Sequence, residues 1–162
     1  MKVHRIVVDL DWRSRQPAVL GPMARLAGEM QAELIGLFIE DIELLQLAAL
    51  PFAREVGFPS AVRRDLDVVR MERMLQTMGN DLRRTFEAVL KDTPVAWSFR
   101  VARGSRMEQL MIIAIEQAEP TLLLPPGSDI RAEPIVVSLS EFSQGGARVL
   151  PAGNRRPVLI QP

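Results

Sequence analysis

Cysteine is absent from the chain, and with it disulfides, thiolate nucleophiles and cysteine-ligated zinc. Histidine occurs once, as His4, at the start of an apolar run and far in sequence from any nucleophile. A Ser-His-Asp triad or a histidine metal cluster would need that imidazole at the other end of the run, so neither is expected. Net charge is lacking as well, because 20 Lys or Arg balance 20 Asp or Glu over 162 residues. That balance removes any global attraction to polyanions, and no nucleic-acid or membrane partner is expected. Lysine is nearly missing: of the 20 basic residues only Lys2 and Lys91 are lysine. An arginine-rich composition accounts for this, with arginine-based anion recognition as the other reading. The opening "MKVHRIVVDLD" has too short an apolar stretch for a membrane span and meets acid too early for a secretion signal, so a cytoplasmic location is expected.

What is present is the pattern of a single α/β domain over residues 1–162, with 48% hydrophobic content to fill one core. "HRIVVDL" (4–10) and "AELIGLFIED" (32–41) are consecutive apolar runs, the mark of strands covered on both faces of a parallel sheet. Between them, Val19, Leu20, Met23, Leu26, Ala27 and Met30 recur at helical spacing over residues 17–30. Leu44, Leu45, Leu47, Leu50 and Phe52 suggest a short helix, then a loop near residues 57–60. A long helix is expected over about 61–90 on the face Val62, Leu66, Val69, Met74, Met78, Leu82, Phe86 and Val89. "PVAWSFRVARG" alternates as a strand, and Ser105 with Glu108 forms a capping-box signature for the helix after it. "TLLLP" reads as strand four, which gives β-α-β-α-β-α-β and an open parallel five-stranded sheet with helices on both faces. Residues 129–162 depart from this pattern: "EPIVVSLS" and "RPVLIQP" each read as a strand, and "EFSQGGARVLPAGNRR" contains no helix-length periodic segment.

Ligands of open parallel sheets bind outside the carboxyl ends of the strands. Those ends are Asp9 and Asp11, Glu40 and Asp41, Arg103-Gly104-Ser105, and Gly127-Ser128-Asp129. The candidate nucleotide site takes Asp9, Asp11, Arg103, Gly104, Gly127 and Ser128 from them, with Arg103 the best single anion contact because it stands beside a helix N-terminus. Each also has a structural use: Asp9 and Asp11 as acceptors in a turn, Ser105 as a cap, Arg103 as a solvated strand end. Glu40 and Asp41 are adjacent and need not converge, so no metal site is assigned. Neither "GxxxxGK[ST]" nor "GxGxxG" occurs, nor the Ser-Gly-Gly or His-x-Gly-His signatures of enzymes on related α/β folds. No catalytic residues are assigned.

Residues 5–41, "RIVVDLDWRSRQPAVLGPMARLAGEMQAELIGLFIED", resemble the opening of a universal stress protein, and "VARGSRMEQLMIIAIEQAEPTLLLPPGS" resembles that family's second half. The final "RPVLIQP" is similar to its closing Cys-Pro-Val-Leu-Val strand. The resemblance covers most of residues 3–128 and the last few residues. It implies a Rossmann-like fold of the adenine nucleotide alpha-hydrolase type, and it matches Asp9 to the acid that contacts the nucleoside and Phe38 and Ile39 to the strand end that meets adenine. Nucleotide-binding members carry G-x2-G-x9-G-[ST] after strand four. Here Pro126 falls on the first loop glycine, without the amide or the positive φ such a loop uses, and the next glycines after Gly127 are Gly145 and Gly146. The resemblance thus implies a non-catalytic stress-response module with weak or no ATP binding that acts through dimerisation or protein partners. The alternatives are an adenine-nucleotide sensor, binding AMP or ATP with Mg through a rebuilt loop, and an alpha-hydrolase-type enzyme without visible catalytic groups. A homodimer through the C-terminal strand and a partner contact at Leu44–Phe52 are further expectations.

Overall fold

The structure, a computed structural model, describes residues 2–43, 46, 54–56, 63–65, 68–150 and 153–162. In chain order the elements are β1 (Arg5–Leu10), a 3-10 turn (Trp12–Arg15), α1 (Pro17–Met30), β2 (Glu33–Asp41), β3 (Arg54–Val56), β4 (Arg63–Asp65) and α2 (Val68–Leu90). They continue as β5 (Trp97–Gly104), α3 (Arg106–Ile115), β6 (Thr121–Leu124), β7 (Ile135–Ser138), α4 (Leu139–Val149) and β8 (Val158–Gln161). The main sheet has six strands in the order β5-β2-β1-β6-β8-β7, and β3 and β4 form a separate antiparallel pair.

All six residues of β1 are buried, because helices cover both faces of the sheet. Strand alternation then sorts the core into two layers. Ile6, Val8 and Leu10 of β1, with Leu34 and Phe38 of β2, face α1 and α2. Val7 of β1, with Ile35 and Leu37 of β2, faces α3 and α4. On α2 the inward face is Leu75, Gly79, Leu82, Phe86 and Leu90, repeating every three or four residues. Phe86, fully buried, meets Trp97 and Phe99 edge-on with ring centroids 5.8 Å away in each case.

Several expectations are corrected. The sheet has six strands, and it is mixed, since β8 pairs antiparallel with β6 and parallel with β7. The long helix begins at Val68 rather than near residue 61, and its Val69 and Met74 are 52% and 49% exposed while Leu75 takes the inward position. The tail contains a helix after all: α4 is closed by a capping box in which Ser138 Oγ accepts from the Glu141 amide at 3.2 Å and Glu141 Oε2 accepts from the Ser138 amide at 3.0 Å. Gly145, with non-helical φ −140° and ψ 23°, kinks it. Gly146 lets it approach α3, since a Cβ there would stand 3.0 Å from Met107 Sδ. Ser105 does hold the N-cap position of α3, but its hydroxyl makes no capping bond, so the box expected with Glu108 does not form. Most of the apolar stretch Leu44–Phe52 lies outside the described residues. No helix among the described residues is long and apolar enough to cross a membrane.

Candidate functional site

The strand order reverses between β1 and β6, and a cleft of about 430 Å³ opens there beyond the carboxyl ends of β1, β2 and β6. Its volume is within the usual range for small-molecule sites. One wall is apolar, made by Phe38 and Ile39 at the end of β2 and by Leu75 and Met78 of α2. Asp9 lies in β1, Asp11 and Arg13 follow it, Asp41 ends β2 and Arg106 opens α3. Pro125 and Pro126 lie after β6, and Gly153, Asn154 and Arg155 come in from the segment before β8.

Asp9 has the same parity in β1 as Val7, so its side chain turns to the α3 side of the sheet, where Arg106 is the first helical residue. Arg106 Nε donates to Asp9 Oδ2 at 2.6 Å and its NH2 group stands 2.6 Å from the same oxygen. Asp9 is only 4% exposed. Burial pushes its carboxyl up to about 6 from 3.8, and the attraction and hydrogen bond of Arg106 offset only part of that rise. Asp11 is committed differently. Its Oδ1 accepts from the Arg13 amide at 3.0 Å, and its Oδ2 takes Arg13 Nε at 2.8 Å and NH2 at 2.7 Å. It caps the 3-10 turn and holds Arg13 more firmly protonated.

Of the candidate residues, Asp9, Asp11, Phe38 and Ile39 meet in this cleft. Arg103 does not line it. Arg103 is opposite Glu40 in the β2–β5 register, where its Nε donates to Glu40 Oε2 at 3.1 Å and its NH1 group to Glu72 Oε1 at 3.2 Å. These two acids neutralise it and keep it protonated. Gly104 is buried at the end of β5 and also lies outside the cleft. Gly127 and Ser128 line a separate groove against α1 with Val19, Pro22 and Ile130. The reason is a tight turn: the Ser128 amide and hydroxyl both donate to the Pro125 carbonyl, at 3.0 and 2.6 Å, and Gly127 supplies its positive φ of 71°.

Arg106, Arg13, Asn154 and Arg155 were not singled out from the sequence. An arginine directly after a Gly-Ser helix start was a readable signal for Arg106, whereas the place of Asn154 and Arg155 depends on the direction of β8. Among the described residues no group of three or more Asp, Glu or His side chains could hold a metal ion.

No protein-family model matches the sequence, and no curated protein does either. Solved structures do match. The hypothetical protein MJ0577, solved as a structural-genomics test case for assigning biochemical function, aligns over 99% of this chain and 96% of its own with a TM-score of 0.52 and 10% identity. A universal stress protein solved in complex with cAMP aligns over 99% and 97% with a TM-score of 0.42 and 14% identity. Likeness at such identities speaks for the fold alone. The chain therefore shares the α/β fold of MJ0577.

Proposed function

We propose that this chain is a non-catalytic, universal-stress-protein-like stress-response module that takes an adenine nucleoside, in preference to ATP, in the cleft between β1 and β6. The observation that carries this reading is the turn after β6. The amides of Ser128, Asp129, Arg131 and Ala132 all donate to groups of the protein itself, and Pro125 and Pro126 have no amide to offer. Of the amides from Pro125 to Ala132 that leaves only those of Gly127 and Ile130, too few for a triphosphate cradle. A nucleoside needs less. Phe38, Ile39, Leu75 and Met78 give an apolar wall for a base, and the Asp9–Arg106 and Asp11–Arg13 pairs give a polar wall for the sugar. Asp9 and Asp11 are each held by an arginine, and the third acid of the cleft, Asp41, accepts from the Glu43 amide at 2.9 Å.

Calorimetric titration with adenosine, AMP and ATP with magnesium tests the reading. Adenosine and AMP should give saturable heat, ATP should bind no tighter than AMP, and Met78→Trp, which fills the apolar wall, should abolish all three. ATP binding tighter than AMP by about tenfold or more would overturn it.

Action through a homodimer is favoured by the open edge of β7. The C-terminal strand β8, expected to pair with a second copy, is hydrogen-bonded on both edges, to β6 and to β7. β7 ends the sheet with Val136 54% exposed, so a mate would add there. A monomeric mass in solution across micromolar concentrations would overturn the dimer.

A further inference from the structure

Among the described residues, Arg155 is the arginine lining the cleft that has no carboxylate partner, and Asp41 is the acid lining it that has no arginine partner. Arg106 is bound to Asp9 and Arg13 to Asp11, whereas Arg155 has no carboxylate within ion-pair distance among the described residues. Its backbone is held firmly. The Asp129 amide donates to the Arg155 carbonyl at 2.8 Å, tying it to the turn after β6. On either side, Asn154 Nδ2 donates to the Val149 carbonyl at 3.0 Å, and Arg156 donates from Nε and NH2 to the Glu133 carbonyl at 3.1 and 2.9 Å. Arg155 thus lines the cleft together with Pro125 and Pro126, at the strand end where backbone amides are missing.

We infer that Arg155 is the phosphate contact of this cleft, and that the preferred ligand class is a nucleoside monophosphate. The inference rests on the nucleoside reading above and adds to it the anionic group and the residue that receives it. A guanidinium on the segment before β8 takes the place of a glycine loop after β6: it meets a phosphate through charge-assisted, planar hydrogen bonds and needs no backbone donor. One such cation suits one phosphate, and a triphosphate would bring further charge with nothing to oppose it.

The test compares AMP with adenosine by calorimetry on the full chain and on Arg155→Ala. AMP should bind the unaltered protein about tenfold more tightly than adenosine, with the advantage shrinking as salt is raised. In Arg155→Ala the two should bind alike, at the adenosine affinity of the unaltered protein, and retention of adenosine binding reports that the variant is folded. An AMP advantage that survives Arg155→Ala, or none in the unaltered protein, would overturn the assignment of Arg155 and leave the nucleoside reading standing. Failure of both adenosine and AMP to bind would overturn both.

Discussion

Replacing Asp9 by asparagine should make the protein progressively more stable than the original as pH rises. The folded chain holds the Asp9 proton more tightly than the unfolded chain does, with the carboxyl pushed up to about 6 from 3.8 by burial. The group therefore contributes most to stability below about pH 4, where it is protonated in both states, and that contribution is lost as pH rises through about 6. A difference of about 2 pH units corresponds to about 3 kcal/mol. Arg106 does not cancel this, because its side chain is 45% exposed and its attraction is screened by water, while Asp9 is almost wholly enclosed. The amide that replaces the carboxyl has no proton to lose. Whatever the substitution does to the Arg106 contact enters as a constant offset, so the informative quantity is the change in the stability difference with pH. Urea unfolding of both proteins between roughly pH 4 and pH 8, followed by the fluorescence of Trp97 against Phe86, should show the variant gaining about 2 to 3 kcal/mol on the original across that range. Parallel profiles would refute the reasoning. So would an original protein that gains on the variant as pH rises, since that result would mean the Arg106 attraction outweighs burial.

Gly36→Ala should cost about 1–3 kcal/mol in the same assay, because a Cβ there would stand 2.9 Å from Phe86 Cε2 and 3.1 Å from Leu10 Cδ1, in the packed layer under α2. An unchanged midpoint would mean that Phe86 moves freely. Ser138→Ala removes the hydroxyl that caps α4 and should cost about 1 kcal/mol, read as a lower urea midpoint at constant slope. Arg103→Ala should leave adenosine and AMP affinities unchanged, since Glu40 and Glu72 already hold that guanidinium outside the cleft; a loss of affinity would return it to the site.

The parts of the fold that were legible from sequence are those whose signal is local. β1 and β2 announce themselves by continuous apolar runs, and α1 by spacing from Pro17 to Met30, because each buries a face fixed by its own periodicity. The failures come where a tertiary neighbour decides. "EFSQGGARVLPAGNRR" shows no helix-length periodic segment, yet its first part lies in α4 because Gly146 is pressed on Met107 of α3 and the Ser138–Glu141 box secures the start of the helix. That box, S-x-x-E, is present in the sequence as Ser138 to Glu141 and is the local signal for this helix. In the cleft, Asp9 follows from lying near a strand end at a known end of a known kind of sheet, whereas Phe38 and Ile39 come from the family resemblance. Arg103 lies outside the cleft because cross-strand register gives it to Glu40, and register is not readable one strand at a time.

The proline pair and the reversed strand belong together. In a parallel sheet the chain that leaves β6 at the cleft must travel back to the far end before the next strand begins, which takes a crossover of about a dozen residues or more, usually with a helix. Here the connection from Leu124 to Ile135 holds no helix, and its start is folded into the Pro125–Ser128 turn. β7 must then start near the end where β6 stopped, and so runs opposite to it. The crossover helix comes next instead, as α4, and makes β8 parallel to β7 and antiparallel to β6, with Leu123 opposite Val158. That register puts the residues just before Val158 beside the end of β6, at the cleft. A chain with a helix after β6 and a parallel β8 would have left Asn154 and Arg155 at the opposite end of the sheet. The connection that lacks an amide cradle is the same one that delivers an arginine to the cleft, so one change in chain direction accounts for both.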